Sequence, residues 1–306
     1  MELPNNWTLF KKSVLAKIEF CCATKIWPVR YEIFNAWLSN FNGDNESEYM
    51  ALHILDSLIF RSKEMVQASY SRLLYGEIRK LILSQVRGNS IFLKNASLSK
   101  WKYQLKNGGF NSQLRFSPIT TNEPEGESGQ LVYRLLSPII DTSRYAFSKK
   151  IDAEIIILVD DILGSGNQFI NEFAPRFSLE EKLNNQLVIY SPAIAYIKGI
   201  NAISEQYPNL HILPAEIILE SNSLFFGSPQ SKFRNDQVNT LEVIKEFFQE
   251  MQNKYSLTSN GFWFGYENAC LPIVFEWGCP NQAPHIMWMD KSPKYSDWKQ
   301  LFPRRA

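Results

Sequence analysis

The stretch that decides the fold is EIIILVDDILGSGNQ, which runs from Glu154 to Gln168. Its unbroken apolar run, Ile155 to Val159, is typical of a strand covered on both faces, as in a parallel sheet, and is too short to cross a bilayer. Two carboxylates, Asp160 and Asp161, follow directly, and a glycine turn then leads into a predicted helix. Because open α/β sheets bind ligands at the carboxyl ends of their strands, this stretch is the first candidate for a functional site.

The glycine turn has the composition of a phosphate site. Gly164 and Gly166 can adopt positive φ and carry no Cβ, so several backbone N–H groups can converge on a phosphate beside a helix N-terminus. The acidic pair before the turn can accept hydrogen bonds from ribose hydroxyls, directly or through a hydrated Mg²⁺. The pattern predicts a site for ribose 5-phosphate. A plain βα connection and an acidic metal site of another nucleotide enzyme fit the same motif.

The motif resembles the phosphoribosyl pyrophosphate (PRPP) signature of type I phosphoribosyltransferases, in which an apolar strand, an acidic pair and two apolar residues precede a small loop. The resemblance implies that Asp160 and Asp161 hold the ribose hydroxyls and Mg²⁺ carried by the substrate. It also implies a 5′-phosphate loop, formed by Gly164, Ser165, Gly166, Asn167 and Gln168. Gly164 stands where many members have Asp or Thr, and an Asp there often serves as a base toward a purine. Phosphate binding by the backbone tolerates this departure.

Composition places few limits on function. The chain has 306 residues, 45% of them hydrophobic, which is enough for a large core in one or two domains. Its formal charge of +1 implies no strong attraction to nucleic acid or anionic membrane. Four cysteines and three histidines show no usual zinc spacing, so reduced buried thiols are expected. The start of the chain lacks the features of a signal peptide, and we expect a cytoplasmic protein that does not contact membrane.

Helical periodicity dominates the first part of the chain. Apolar residues recur at three- and four-residue spacing from Trp7 to about Val86, and this predicts an N-terminal all-helical region, residues 1–87. Aromatic stripes at such spacing are usually core, so Trp37 and His53 are interpreted as packing residues. Residues 88–306 are predicted to form an α/β domain with an aromatic C-terminal tail.

Strands and helices alternate on both sides of the motif. Extended segments are expected at Ser90–Leu93, Gln113–Pro118, Gln186–Tyr196 and His211–Leu219, and helices near Gln168–Phe177 and Ile200–Tyr207. This alternation predicts an α/β fold with a phosphoribosyltransferase-like parallel sheet flanked by helices.

Four further residues are weaker candidates for ligand contacts. Ser128 and Gly129 begin a predicted helix that carries Arg134. Together with Arg134 they are our candidate for the pyrophosphate loop of the phosphoribosyltransferase fold. The equal alternative is that Ser128 is an N-cap and Arg134 a surface residue. Lys198 is similar in position to the base-contacting segment of several phosphoribosyltransferases. A solvated lysine before a turn is the competing interpretation.

The last fifty residues carry a second resemblance. Gly265-Tyr-Glu-Asn268, Cys279-Pro-Asn281, His285-Ile-Met-Trp288 and Trp298-Lys-Gln-Leu-Phe-Pro-Arg304 are similar to the tail of a bacterial phosphoribosyltransferase-like family of anti-phage conflict systems. The alternative is that their tryptophans are ordinary core and edge aromatics. The resemblance implies a component of a retron or similar operon. Its partner would be a protein or nucleoprotein encoded nearby, such as a reverse transcriptase with its nucleic acid.

Three functions fit these observations. The first is an effector enzyme that binds PRPP or a related nucleotide and transfers or cleaves a ribosyl group. The second is a catalytically inactive nucleotide sensor, which Gly164 and the lack of a clear basic pyrophosphate loop favour. The third is a structural subunit that docks a nucleoprotein partner.

Overall fold

A parallel sheet forms the centre of the structure that positions the motif. The structure is a computed structural model and describes residues 1–120, 128–148, 153–228, 232–233, 236–257, 261–295 and 297–305. Its strands are β1 Ile59–Arg61, β2 Leu114–Pro118, β3 Ile155–Leu163, β4 Leu187–Tyr196, β5 His211–Ile212, β6 Glu216–Ile218 and β7 Ile273–Phe275. The main sheet has the order β2-β3-β4-β5, with β6 also beside β4, and every pairing in it is parallel. This arrangement confirms the predicted fold class.

Burial explains why the central strands are apolar. All nine residues of β3 are buried, and so are the residues of β4 after Leu187. A strand covered on both faces has no solvent side, so its sequence need not alternate. β4 also contains Pro192, which has no N–H to donate to a neighbouring strand. This is tolerated because the expected strand His211–Leu219 is split beside Pro192 into β5 and β6. The carbonyl of Pro192 accepts a hydrogen bond from the N–H of Ala215, which lies between these two strands.

The described chain also contains thirteen α-helices. They are α1 Trp7–Ala23, α2 Glu32–Leu38, α3 Asn45–Asp56, α4 Lys63–Tyr75, α5 Glu77–Gln85, α6 Ile91–Lys94, α7 Leu98–Lys106, α8 Ser128–Leu135, α9 Thr142–Tyr145, α10 Ala174–Phe177, α11 Leu179–Asn185, α12 Ile197–Gln206 and α13 Leu241–Lys254. A π-helical turn, Phe169–Phe173, precedes α10. The expected strand at Ser90–Leu93 is wrong, because Ser90 caps α6 by accepting a hydrogen bond from the N–H of Phe92.

The chain folds into two compact units. One comprises Lys63–Ile218, with the main sheet; the other combines Met1–Ser62 with Leu219–Arg305. This division differs from the expected boundary after residue 87. Helix α4 joins the sheet unit through the hydroxyl of Tyr70, which bonds to backbone groups of β3 and β4.

The other unit brings the two ends of the chain together. Helices α1 to α3, α13 and the tail share one core, and β1 pairs in parallel with β7. Trp37 is fully buried there and donates its indole N–H to the carbonyl of Ile286 at 3.2 Å. His53 is also buried, which confirms the packing role predicted for both residues. Across the residues that the structure describes, no helix combines the length and apolar character needed to cross a membrane.

Candidate phosphate site

The acidic pair lies inside a strand rather than after it. β3 continues to Leu163, because Ile162 and Leu163 pair with Ile194 and Ala195 of β4. As a result Asp160 is only 7% exposed to solvent, and Asp161 is 0% exposed. Direct contact of a ligand with Asp161 would therefore require its covering groups to move.

Each carboxylate of the pair bonds to the backbone amide of the next residue. Asp160 Oδ1 accepts from the N–H of Asp161 at 2.9 Å, and Asp161 Oδ1 accepts from the N–H of Ile162 at 2.7 Å. Asp160 Oδ2 also accepts from the hydroxyl of Tyr190 at 3.1 Å. Ser128 donates its hydroxyl to Asp161 Oδ1 at 3.0 Å. These bonds compensate the cost of burying two carboxylates next to each other.

Two buried tyrosines surround Asp160. The hydroxyl of Tyr70 lies 2.8 Å from the carbonyl of Asp160 and 2.7 Å from that of Ser191. Burial raises the pKa of both the Tyr70 and the Tyr190 hydroxyl well above its ordinary value, and the charge of Asp160 adds to the shift. Both hydroxyls therefore stay protonated and can donate.

The glycine turn presents backbone donors at the carboxyl end of β3. Gly166 has φ of +91°, which glycine adopts without the strain that a side chain would impose. The N–H of Asn167 donates to Ser165 Oγ at 3.3 Å. Among the described residues, the N–H groups of Gly164, Ser165 and Gly166 donate no hydrogen bond. Three consecutive backbone donors are thus available in a partly buried turn.

Helix α12 supports this turn from one side at very short range. A Cβ added to Gly199 would lie 2.1 Å from the carbonyl oxygen of Gly164. A Cβ on Gly166 would lie 3.3 Å from the carbonyl oxygen of Gly199 and from a side-chain carbon of Ile203. The backbones of the turn and of the first turn of α12 therefore touch, and this contact fixes the shape of the turn.

The structure brings some of the weaker candidates to the acidic pair and not others. Ser128 and Gly129 begin α8 beside the end of β2, where a Cβ on Gly129 would lie 2.3 Å from the carbonyl oxygen of Ile119. Ser128 thus reaches Asp161. Arg134 lies in the last turn of the same helix and is exposed.

Lys198 lies next to Gly199 in the first turn of α12. Its side chain is exposed, and its Nζ is 6.0 Å from the ring centroid of Tyr196. The helix start that touches the glycine turn therefore also carries a cation.

The donor set suits a cation carried by a substrate better than one held by the protein alone. In the described part of the chain, no cluster of three or more His, Cys, Asp or Glu side chains could hold a metal ion. Mg²⁺ prefers six oxygen ligands and keeps several waters, so a cation bound here would have Asp160 as its protein ligand and would take its other oxygens from water and the substrate.

Sequence reasoning missed Tyr70 and Tyr190, and it gave Gly199 no role of its own. Tyr70 lies on a helix that follows an ordinary apolar period, so its sequence gives no signal for a contact with β3. Tyr190 reads as one more strand aromatic. Gly199 follows Lys198 directly after the predicted strand Gln186–Tyr196. A glycine at such a position can indicate that another part of the backbone approaches closely.

The fold and the turn fit the phosphoribosyltransferase-like class that the sequence motif resembles, with a parallel α/β sheet and a glycine turn at the carboxyl end of its buried central strand. The family model PRTase-CE matches residues 34–304, and the chain belongs to this family. The match includes residues of both compact units, so α3 and the aromatic tail belong to the family pattern together with the sheet. No curated protein matches the chain.

Proposed function

We propose that this protein binds a 5-phosphoribosyl ligand, either PRPP or a nucleoside 5′-phosphate, with the 5′-phosphate on the glycine turn. The observation that carries the proposal is the set of three consecutive N–H groups, Gly164 to Gly166, that donate no hydrogen bond in the described structure. An unmet buried or partly buried amide is costly, and a phosphate supplies several strong acceptors at once.

The surroundings of the turn favour an anion. Consecutive N–H groups that converge in a turn form an anion-binding nest, and the positive φ of Gly166 gives the turn the required curvature. Asn167 and Gln168 begin the helical segment that follows, so the phosphate would also lie near helical N–H groups. We assign to Lys198 the role of an accessory cation near the bound phosphate or base.

The acidic pair would bind the ribose. We assign to Asp160 the contact with a ribose hydroxyl or with Mg²⁺ that arrives with the substrate, because a carboxylate can accept about four hydrogen bonds. Asp161, buried under Ser128, would hold its neighbour in place and take part directly only after Ser128 moves. Ser128, Gly129 and Arg134 remain our candidates for pyrophosphate contacts.

This arrangement could also catalyse ribosyl transfer. When the bond between the anomeric carbon and its leaving group breaks, positive charge develops on the sugar, and nearby carboxylates stabilise it. The turn would hold the other end of the sugar and so reduce the entropy cost of reaction. The second candidate is a sensor that binds the same ligand without turnover, which the burial of Asp161 favours.

The biological setting that we propose is bacterial anti-phage defence of the retron type, with the protein as effector or sensor beside a reverse transcriptase and its nucleic acid. Support comes from the similarity of the tail to proteins of conflict systems. The family match extends through this tail to residue 304.

Calorimetry tests the binding proposal. The wild-type protein is titrated with PRPP, ribose 5-phosphate, nucleoside 5′-monophosphates and NAD⁺, each with and without Mg²⁺. The binding proposal requires at least one phosphoribosyl ligand to bind. Loss of that binding in the double variant Asp160→Asn/Asp161→Asn supports the ribose role of the pair. Failure of all ligands to bind removes both the enzyme and the sensor and leaves a structural subunit.

A matched pair of glycine variants tests the turn itself. Gly166→Ala changes a positive-φ glycine in the turn, whereas Gly88→Ala changes one with φ of +62° and no atom within 4 Å of the added Cβ. Both substitutions place a Cβ at a positive φ, which glycine adopts more readily than alanine. We expect Gly166→Ala alone to weaken phosphate binding, and equal effects of both would argue against the turn.

Two assays separate the enzyme from the sensor and address defence. Release of pyrophosphate from PRPP, or of free base from a nucleotide, must be abolished by Asp160→Asn if the protein is an enzyme. Expression of the chain alone and with its neighbouring genes, under phage challenge, tests the defence role. Absence of protection and of toxicity in every combination would count against it.

A further inference from the structure

We infer that Tyr70 and Tyr190 are positioning residues for the acidic pair, and that they couple its geometry to helix α4 and to the phosphate turn. The inference rests on the proposed function, because it concerns the same ribosyl site. Neither tyrosine stands near the motif in sequence, and both are fully buried beside Asp160.

The hydroxyl of Tyr70 bonds to backbone groups of both β3 and β4. The N–H of Leu187 donates to the carbonyl of Glu154 at the start of the ladder between these strands, and the same phase brings the N–H of Asp160 to the carbonyl of Ser191. The hydroxyl of Tyr70 contacts both of these groups. It accepts from the N–H of Asp160 at 3.3 Å and lies 2.7 Å from the oxygen of Ser191.

Each carboxylate of the acidic pair also bonds to its own strand. The N–H of Asp161 donates to the carboxylate of Asp160, and the N–H of Ile162 donates to that of Asp161. Tyr70 therefore holds the backbone of Asp160 at the point where this short chain of bonds begins, and loss of its hydroxyl would alter the orientation of both carboxylates.

Tyr190 holds the same residue from the other side and reaches the turn. Its hydroxyl donates to Asp160 Oδ2, and its ring stacks on Phe169 with centroids 4.7 Å apart and planes 13° apart. Phe169 begins the π-helical turn that follows the phosphate turn. A shift of Tyr190 would therefore move the carboxylate relative to the phosphate position.

The test compares three single hydroxyl deletions. Tyr70→Phe and Tyr190→Phe each remove one hydroxyl from the network. Tyr145→Phe is the matched control: Tyr145 is fully buried in the same unit, accepts from the N–H of Phe110 at 3.0 Å and donates to the carbonyl of Gln104 at 2.9 Å. All three should lower the melting temperature, so a loss of stability by itself does not discriminate.

Ligand selectivity distinguishes a positioning role from a general loss of stability. Calorimetry is run with ribose 5-phosphate, 2-deoxyribose 5-phosphate and inorganic phosphate. We expect Tyr70→Phe and Tyr190→Phe to weaken ribose 5-phosphate about tenfold and to shrink its advantage over the deoxy sugar, while inorganic phosphate changes less than about twofold. Tyr145→Phe should leave all three affinities unchanged. An unchanged ratio between the two sugars in both network variants overturns the inference.

A second measurement separates this inference from the proposed function. If the wild type binds none of these ligands, the proposed function fails, and amide hydrogen exchange of residues 158–163 then decides the inference. Faster exchange at Asp160 to Ile162 in Tyr70→Phe than in Tyr145→Phe supports it, and equal exchange overturns it. If Tyr70→Phe does not fold, Tyr190→Phe is put through both measurements and decides in its place.

Discussion

The contact between α12 and the phosphate turn gives the sharpest mutational test of the site. In Gly199→Ala the new Cβ would lie 2.1 Å from the carbonyl oxygen of Gly164 and 2.9 Å from a side-chain carbon of Leu163. The leucine side chain can rotate away, but a backbone carbonyl cannot. The two segments must separate by at least about 0.9 Å before the carbonyl contact reaches 3.0 Å, near the shortest that real Cβ atoms show.

The turn is the segment that should move. α12 is anchored through Ile203, which is fully buried, and it continues directly from β4. Gly164 and Ser165 are partly exposed. A displacement of about 1 Å at a binding group can cost up to about 100-fold, so we expect ribose 5-phosphate affinity to fall about 10- to 100-fold.

Stability should change much less than binding. Overpacking costs about 1–3 kcal/mol, and alanine recovers about 1 kcal/mol of helix propensity relative to glycine, which leaves a net loss of about 0–2 kcal/mol. Calorimetry gives the affinity and thermal unfolding gives the stability. Asn201→Ala, at an exposed position of the same helix, is the control and should alter neither by more than about 0.5 kcal/mol. Wild-type affinity in Gly199→Ala would refute the view that α12 shapes the phosphate turn.

Three further predictions concern backbone strain and pH. Gly166→Ala should cost about 1 kcal/mol or more in unfolding free energy, because alanine rarely adopts its φ of +91°; chemical denaturation measures this. Burial lowers the pKa of His53 to about 4. As pH falls from about 6.5 toward 4, the unfolded chain therefore binds a proton at this histidine and the folded protein does not. The melting temperature should fall over this window, and it should fall less in His53→Leu. Partial burial alone would raise the pKa of Asp44, but hydrogen bonds from Lys254 and neighbouring hydroxyls lower it below 3.8. The ionised carboxylate therefore stabilises the folded protein fully above pH 3.8, and this stabilisation is lost as pH falls through the lowered pKa. Asp44→Asn should remove that acid-dependent part of the unfolding free energy, and a variant with the wild-type profile below pH 4 would contradict it.

Local sequence chemistry determined the centre of the sheet and the nature of the turn. The run Ile155 to Val159 predicts a strand buried on both faces because apolar residues without alternation have no solvent side. The glycines predict a turn with positive φ because they lack a Cβ, and Gly166 has that conformation. Both features depend on residues next to each other in the chain, so periodicity and residue type suffice to find them.

Tertiary structure decided how deeply the acids are buried and which groups hold them. β3 extends past Asp160 and Asp161 because β4 offers paired residues there, a fact that the local pattern of β3 does not contain. Tyr70 lies 90 residues before Asp160, and its hydroxyl reaches the backbone of β3 and β4 only because α4 packs in the sheet unit. Strand pairing and side-chain hydrogen bonds between residues far apart in sequence depend on how whole helices and strands pack. The periodicity of one stretch of sequence does not contain this information.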